Sequence, residues 1–188
     1  MDPKFSGGGV LPIVKIKENY YFLTFSSRRG VLSDAGGKCD FGESIEKTCV
    51  REFYEESCKL FNINVSDISN HKFIDISAGW SSYRSYLPFF NFDIPQDQFS
   101  KNRNYLKSNR CSYHFLEKNE MILIPVNSTL ERLDSRSSKI YTTIDIDNKK
   151  RLVNRRLYKL IREYNKLKIQ PHQIILEKYL IDSAITFK

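Results

Sequence analysis

Gly37-Lys-Cys-Asp-Phe-Gly-Glu43, then seven residues, then Arg51-Glu52-Phe53-Tyr54-Glu55-Glu56 is the stretch that decides the fold of this 188-residue chain. The spacing predicts a helix over Ser44 to Ser57. At about 100° per residue, Glu52, Glu55 and Glu56 share one arc, at the i, i+3 and i+4 separations that make side chains neighbours. Cys49, Val50 and Phe53 fall on an adjacent arc, so one side can pack on a sheet while the next projects carboxylates. Three carboxylates this close repel unless a cation sits among them. Oxygen donors of this kind suit Mg²⁺ or Mn²⁺ rather than zinc. Arg51, four residues before Glu55, is placed to pair with it. Glu43 falls by the helix N-terminus, where negative charge is favoured. Gly36 and Gly37 allow a tight turn or a close backbone approach.

These residues resemble the signature of the Nudix hydrolases: a glycine, five residues, a glutamate, seven residues, then Arg-Glu-hydrophobic-any-Glu-Glu-any-Gly-hydrophobic. Gly37, Glu43, Arg51, Glu52, Phe53, Glu55 and Glu56 match it. Cys58 stands in place of the family's last glycine, and Lys59 in place of its aliphatic residue. The match covers Gly37 to Lys59, and a similar strand order extends from about residue 8 to about residue 135. The resemblance implies an α/β fold, a Nudix-type α/β/α sandwich around a mixed sheet, here with extra C-terminal helices. It implies Mg²⁺- or Mn²⁺-dependent hydrolysis of a diphosphate linked to another group. Carried over by position, Glu52, Glu55 and Glu56 hold the metal, with Glu43 and the Gly37 carbonyl as further partners, and Arg51 orients the glutamates. The general base is a box glutamate or a carboxylate of a later loop. Glu120 is the first loop candidate and Glu117 the second, just ahead of a strand at 121–126.

The formal net charge is +8, and residues 148–168 hold nine Lys or Arg against one Glu, which accounts for all of it. Val153, Leu157, Leu160, Ile161 and Tyr164 repeat there at helical spacing. Arg151, Arg155, Lys159, Arg162 and Lys166 form a second, basic stripe. Such a helix docks by its apolar side and offers its basic side to a polyanion, an RNA backbone among them. Arg28 and Arg29, in a polar loop ahead of the signature, are further candidates to meet phosphate. A basic helix after the catalytic domain is an arrangement similar to that of mRNA-decapping members of the family. The expected substrate is therefore a nucleotide or capped RNA. Small nucleotides (ADP-ribose, NADH, dinucleoside polyphosphates) and diphosphoinositol phosphates are the alternatives, and a non-catalytic RNA- or nucleotide-binding module is the second class of reading.

The expected organisation is a catalytic domain over 1–135 and an extension over 136–188 with the basic helix packed on it. There is no apolar run long enough for a membrane span and no signal-peptide h-region. The four cysteines show no metal or disulfide spacing, so a reducing, cytoplasmic setting is expected. Strands are expected over 9–16, 20–26, 71–78, 83–93 and 140–146, and polar loops over 27–34 and 94–112. Short helices are expected over 128–134 and 172–183. Trp80, between two strands, is a further candidate to stack on a base.

Overall fold

A computed structural model of the chain describes residues 5–78, 81–90, 94–133 and 140–168. Its strands are β1 (Phe5–Val10), β2 (Ile13–Ile16), β3 (Asn19–Ser27), β4 (Val31–Ser33), β5 (Ala35–Lys38), β6 (Phe73–Ala78), β7 (Ser81–Tyr86), β8 (Phe89–Phe90), β9 (Lys118–Pro125), β10 (Glu131–Leu133), β11 (Ile140–Ile144) and β12 (Lys150–Val153). Its helices are α1 (Ile45–Glu56), α2 (Val65–Ser69), α3 (Gln96–Ser108) and α4 (Arg155–Leu167). The strands form two mixed sheets, one in the order β5-β1-β7-β6 and one in the order β10-β11-β12-β4-β3-β2-β8, with β9 on the free side of β3. No helix among the described residues is long and apolar enough to cross a membrane. All four cysteines are unbridged.

Two apolar clusters flank the strands. Leu23 and Phe25 of β3, Val14 of β2 and Met121 of β9 join Cys49 and Phe53 of α1 and Phe99 and Leu106 of α3. Their alternates Phe22, Ile13 and Ile124 join Leu157, Leu160, Ile161 and Tyr164 of α4. This is period-2 alternation read on both faces, and it gives the layered α/β arrangement that the sequence implies.

Several boundaries differ from the sequence reading. The strand expected over 9–16 breaks at Leu11-Pro12, because proline lacks an N–H to donate, and its halves enter different sheets. The loop expected over 27–34 contains β4, held between β3 and β12. The polar stretch 94–112 holds α3, which buries Phe99, Asn102 and Leu106 at helical spacing; three contacts in a hydrophilic segment were too few to read as a helix. Residues 131–133 form a strand against β11 rather than a helix. The chain before Asn154 is β12, paired with β11 and β4, so the basic helix starts only at Arg155. Asn154 sets that start by accepting a hydrogen bond from the Leu157 N–H at 2.7 Å. Trp80, the helix expected over 172–183 and the boundary at residue 135 lie outside the described residues. Beyond that boundary, β12 pairs in parallel with β4, and α4 packs in the same apolar cluster as β3.

Helix α1 lies almost on the backbone of β1. A Cβ at Gly8 would fall 2.6 Å from both Cys49 Sγ and Ile45 Cδ1, so the strand has to be bare there. The helix ends in a Schellman turn. The Lys59 N–H reaches the Tyr54 carbonyl at 2.9 Å and the Cys58 N–H reaches the Glu55 carbonyl at 3.0 Å. That turn places Cys58 at φ +54° and Lys59 at φ +62°, left-handed values that cost an L-residue about 1–2 kcal/mol each. The two departures from the family signature therefore sit where the backbone favours glycine. The Cys58 side chain is fully buried and its Sγ lies 3.2 Å from the Phe115 carbonyl, which offsets part of the strain. Cys58→Gly is therefore expected to stay within about 1 kcal/mol of the parent in urea unfolding, while β-branched Cys58→Val loses about 2 kcal/mol or more. An equal loss for both would show that packing, not backbone conformation, governs the position.

Candidate functional site

Ser44 caps α1, its hydroxyl accepting from the Lys47 N–H at 3.3 Å. Just before it, Glu43 accepts from the Thr48 hydroxyl at 2.7 Å and the Asp40 N–H at 3.1 Å. Arg51, one face along, organises the acids. Its Nε and Nη2 grip both oxygens of Glu43 at 3.0 and 2.9 Å. Its Nη1 reaches Glu52 at 2.8 Å and Glu55 at 3.5 Å, and Nη2 also donates to the Lys38 carbonyl at 3.1 Å. The principal partners of Arg51 are thus Glu43 and Glu52; the pairing with Glu55 drawn from helix spacing is the loosest contact. The bidentate pair holds the Glu43 carboxyl down at about 2.

Glu52 lies flat over Gly37, where a Cβ would collide with its carboxylate. Burial pushes the Glu52 pKa up, against the pull of Arg51. Glu56 is the most deeply set of the four glutamates, 4 % exposed. One oxygen accepts from the Gly36 N–H at 2.8 Å and the other from Lys118 Nζ at 2.8 Å. Burial raises Glu56 to about 7 even so, with Lys118 opposing.

The sequence reading missed Lys118. It leaves β9 between the two candidate loop acids and also bonds the Ser33 hydroxyl at 2.7 Å. Glu120 is exposed, and its ion pair is with Arg151 at 3.8 Å. Glu117 pairs with His114 at 3.6 Å. A buried lysine flanked by glutamates leaves no mark in a sequence.

Asp34, just ahead of the two glycines, was missed as well. It is fully buried and receives the Tyr83 hydroxyl at 2.7 Å. Arg156, on the inner side of α4, donates Nε to Asp34 at 2.7 Å and Nη2 to the Gly36 carbonyl at 2.8 Å. Its guanidinium lies over the Tyr83 ring at 4.6 Å.

The basic stripe is shorter than its sequence spacing suggested. Arg151 belongs to β12 and bonds Asp145 at 2.6 Å. Lys159 donates to the Ser77 carbonyl at 2.7 Å, and Lys166 pairs with Glu163 at 2.7 Å. Arg155 and Arg162 are exposed. Arg162 and Lys166 line an open groove of about 500 Å³ with Tyr158, Asn165 and Ser128 to Leu130. Tyr158 stacks on Tyr141 at 3.6 Å and Tyr164 is buried, so both serve packing. Arg28 lies over the Tyr113 ring at 5.5 Å, and the Arg29 N–H bonds the Ser27 hydroxyl at 3.3 Å.

A divalent cation fits this set in donor type and charge. Glu43, Glu52, Glu55 and Glu56 are oxygen donors that outnumber the cations paired with them, Arg51 and Lys118. Among the described residues no three acids are grouped closely enough to hold a metal ion as they stand.

Several solved structures have a similar chain path. A MutT/Nudix family protein from Enterococcus faecalis is 17% identical, covering 89% of this chain and 64% of its own, with a TM-score of 0.49. An Ap4A hydrolase from C. elegans is 17% identical over 64% of this chain and 79% of its own, with a TM-score of 0.41. The Nudix domain of Shewanella oneidensis NrtR, solved with ADP ribose, is 12% identical over 67% and 75%, with a TM-score of 0.41. No family model and no curated protein matches the sequence. At these identities and scores no activity passes from the neighbours to this chain.

Glu56 gives the site a pH signature. With its folded pKa raised from 4.5 to about 7, the folded state holds a proton that the unfolded state releases. Its stabilising contribution is complete below pH 4.5 and is lost as pH rises through about 7, at most about 3 kcal/mol. The metal-free protein should therefore lose Tm from pH 5 to 8 more steeply than Glu56→Gln, and Mn²⁺ at pH 8 should restore it. Parallel Tm–pH curves for the two proteins in calorimetry would contradict a buried acid.

Proposed function

We propose that this protein is a divalent-metal-dependent hydrolase that cleaves a diphosphate linkage in a nucleotide-type substrate. The observation that carries the reading is the one cluster in which Arg51 ties Glu43, Glu52 and Glu55 together beside the buried Glu56. A structural role gives no physical reason to gather so many acids around one helix.

In this reading Glu52, Glu55 and Glu56 hold Mg²⁺ or Mn²⁺, with the Gly37 carbonyl as a further oxygen. The bound cation neutralises charge on the phosphate oxygens and lowers the pKa of an attacking water. Glu43 acts through Arg51, fixing the guanidinium that orients Glu52 and Glu55. Lys118 sets the rotamer of Glu56. Glu55 is the least tied of the four acids, reached by Arg51 only at 3.5 Å, which makes it the acid freest to accept the water's proton. Glu120 stands second, held by Arg151 at 3.8 Å.

Capped RNA is the substrate we favour, with the RNA body following the exposed Arg155 and Arg162 and the groove beside them. Phosphodiester contacts of this kind are electrostatic and independent of sequence. Small nucleotides and diphosphoinositol phosphates need only the acid cluster and are the alternatives.

Wild type and Glu55→Gln/Glu56→Gln are to be incubated with Mg²⁺ or Mn²⁺ on cap-labelled RNA and on a nucleotide panel. Metal-dependent release of m⁷GDP by wild type alone is the expected result. Turnover of small nucleotides only would keep the hydrolase and remove the RNA. Binding without turnover of any substrate would replace the enzyme with a binding module. Arg155→Glu/Arg162→Glu should raise KM for capped RNA about tenfold and leave small-nucleotide turnover unchanged; equal effects on both substrates would remove RNA from this face.

A further inference from the structure

Among the described residues, strand β5 is an edge strand, with β1 as its one neighbour in the four-stranded sheet. Opposite Gly9, Gly36 turns both its N–H and its C=O away from β1. An edge strand leaves such groups unpaired, yet here each has a partner. The N–H goes to Glu56 at 2.8 Å and the carbonyl accepts from Arg156 at 2.8 Å. The next residue, Gly37, is the surface on which the Glu52 carboxylate lies. Two acids of the cluster therefore rest on a Gly-Gly dipeptide that has no side chains of its own to fix it. The other nitrogen of Arg156 is committed to the buried Asp34, the residue before β5, at 2.7 Å. One guanidinium thus bridges both ends of the Asp34 to Gly36 segment from a helix more than a hundred residues later in the chain.

We propose that Arg156 is a positioning residue of the site: standing in for the missing neighbour of β5, it fixes the Gly36–Gly37 backbone on which Glu56 and Glu52 are set. Its bonds go to Asp34 and to the Gly36 carbonyl, so it acts through the peptide on which the acids rest, while its charge also favours the ionised forms of Glu52 and Glu56. Helix α4 is therefore part of the site's framework and more than a basic surface laid on a finished domain. This rests on the reading of the acid cluster as a metal site.

The test compares wild type, Asp34→Asn, Arg156→Lys and Asp34→Asn/Arg156→Leu. The double variant removes the buried acid together with its cation, so that no unpaired charge is left inside. Readouts are Mn²⁺ affinity by titration of the protein with the metal alone, hydrogen exchange at the Gly36 amide, Tm, and kcat and KM on whichever nucleotide wild type hydrolyses. The double variant is expected to bind Mn²⁺ about tenfold more weakly, to exchange the Gly36 amide faster and to lose about tenfold in kcat, with KM within about threefold. Arg156→Lys, with one amine for two acceptors, should fall between, and it carries the test if the double variant does not fold. A folded variant with wild-type Mn²⁺ affinity and kcat and only a lower Tm overturns the proposal, leaving Arg156 as a helix anchor. Wild type that neither binds Mn²⁺ nor turns over any substrate overturns the metal-site reading itself, and the positioning role with it.

Discussion

Acidic side chains gathered into the wall between α1, β5 and α4 set the terms for the rest of the molecule. Asp34 and Glu56 are buried, and Glu43, Glu52 and Glu55 are partly buried. Taking a carboxylate out of water costs several kcal/mol unless a cation and hydrogen bonds replace the solvent. Three cations do this here, and each comes from a different part of the chain: Arg51 from α1, Lys118 from β9 and Arg156 from α4. Removing any one leaves its acids without their compensating partner. The acids thus force residues 34, 51, 118 and 156 into one place, and the sheets and α4 are arranged so that they meet.

Bare backbone is the second condition. Gly8 lets α1 rest against β1, and Gly37 makes room for Glu52. Both positions would be weakened by a side chain for steric reasons alone, whatever the chemistry of the site. The helix exit shows the same geometry met differently. Cys58 accepts a left-handed backbone in exchange for a buried thiol that burial pushes up to about 12. At that value the group is a neutral, apolar filler at neutral pH, consistent with packing rather than reactivity.

What was legible in the sequence was local. The glutamates of α1 could be placed because helical periodicity fixes where i, i+3 and i+4 point. The inward residues of α4, Leu157, Leu160, Ile161 and Tyr164, could be read for the same reason. Lys118 and Arg156 could not, since their partners are 62 and 122 residues away in sequence and no periodicity marks such a pairing. Arg156 was hidden further by its neighbours, because a basic residue in a basic run reads as surface charge. Arg151 reads as helical for that reason too, although Asn154 caps the helix after it.

The way Arg51 divides its bonds bears on how such a cluster can take up a cation. Two of its three nitrogens, Nε and Nη2, are spent on Glu43, while Nη1 alone serves Glu52 and Glu55. Were Glu52 and Glu55 to hold a divalent ion, as proposed, it would compete with Nη1 alone and leave the guanidinium anchored through Nε and Nη2. Glu43 would then keep the arginine from being expelled by the charge it faces. In the proposed metal site, a glutamate ahead of the helix would thus belong to the set without having to touch the metal. The same division of bonds would also explain why an arginine suits position 51 better than a lysine: a single ammonium has no second anchor to hold it while one contact is given up.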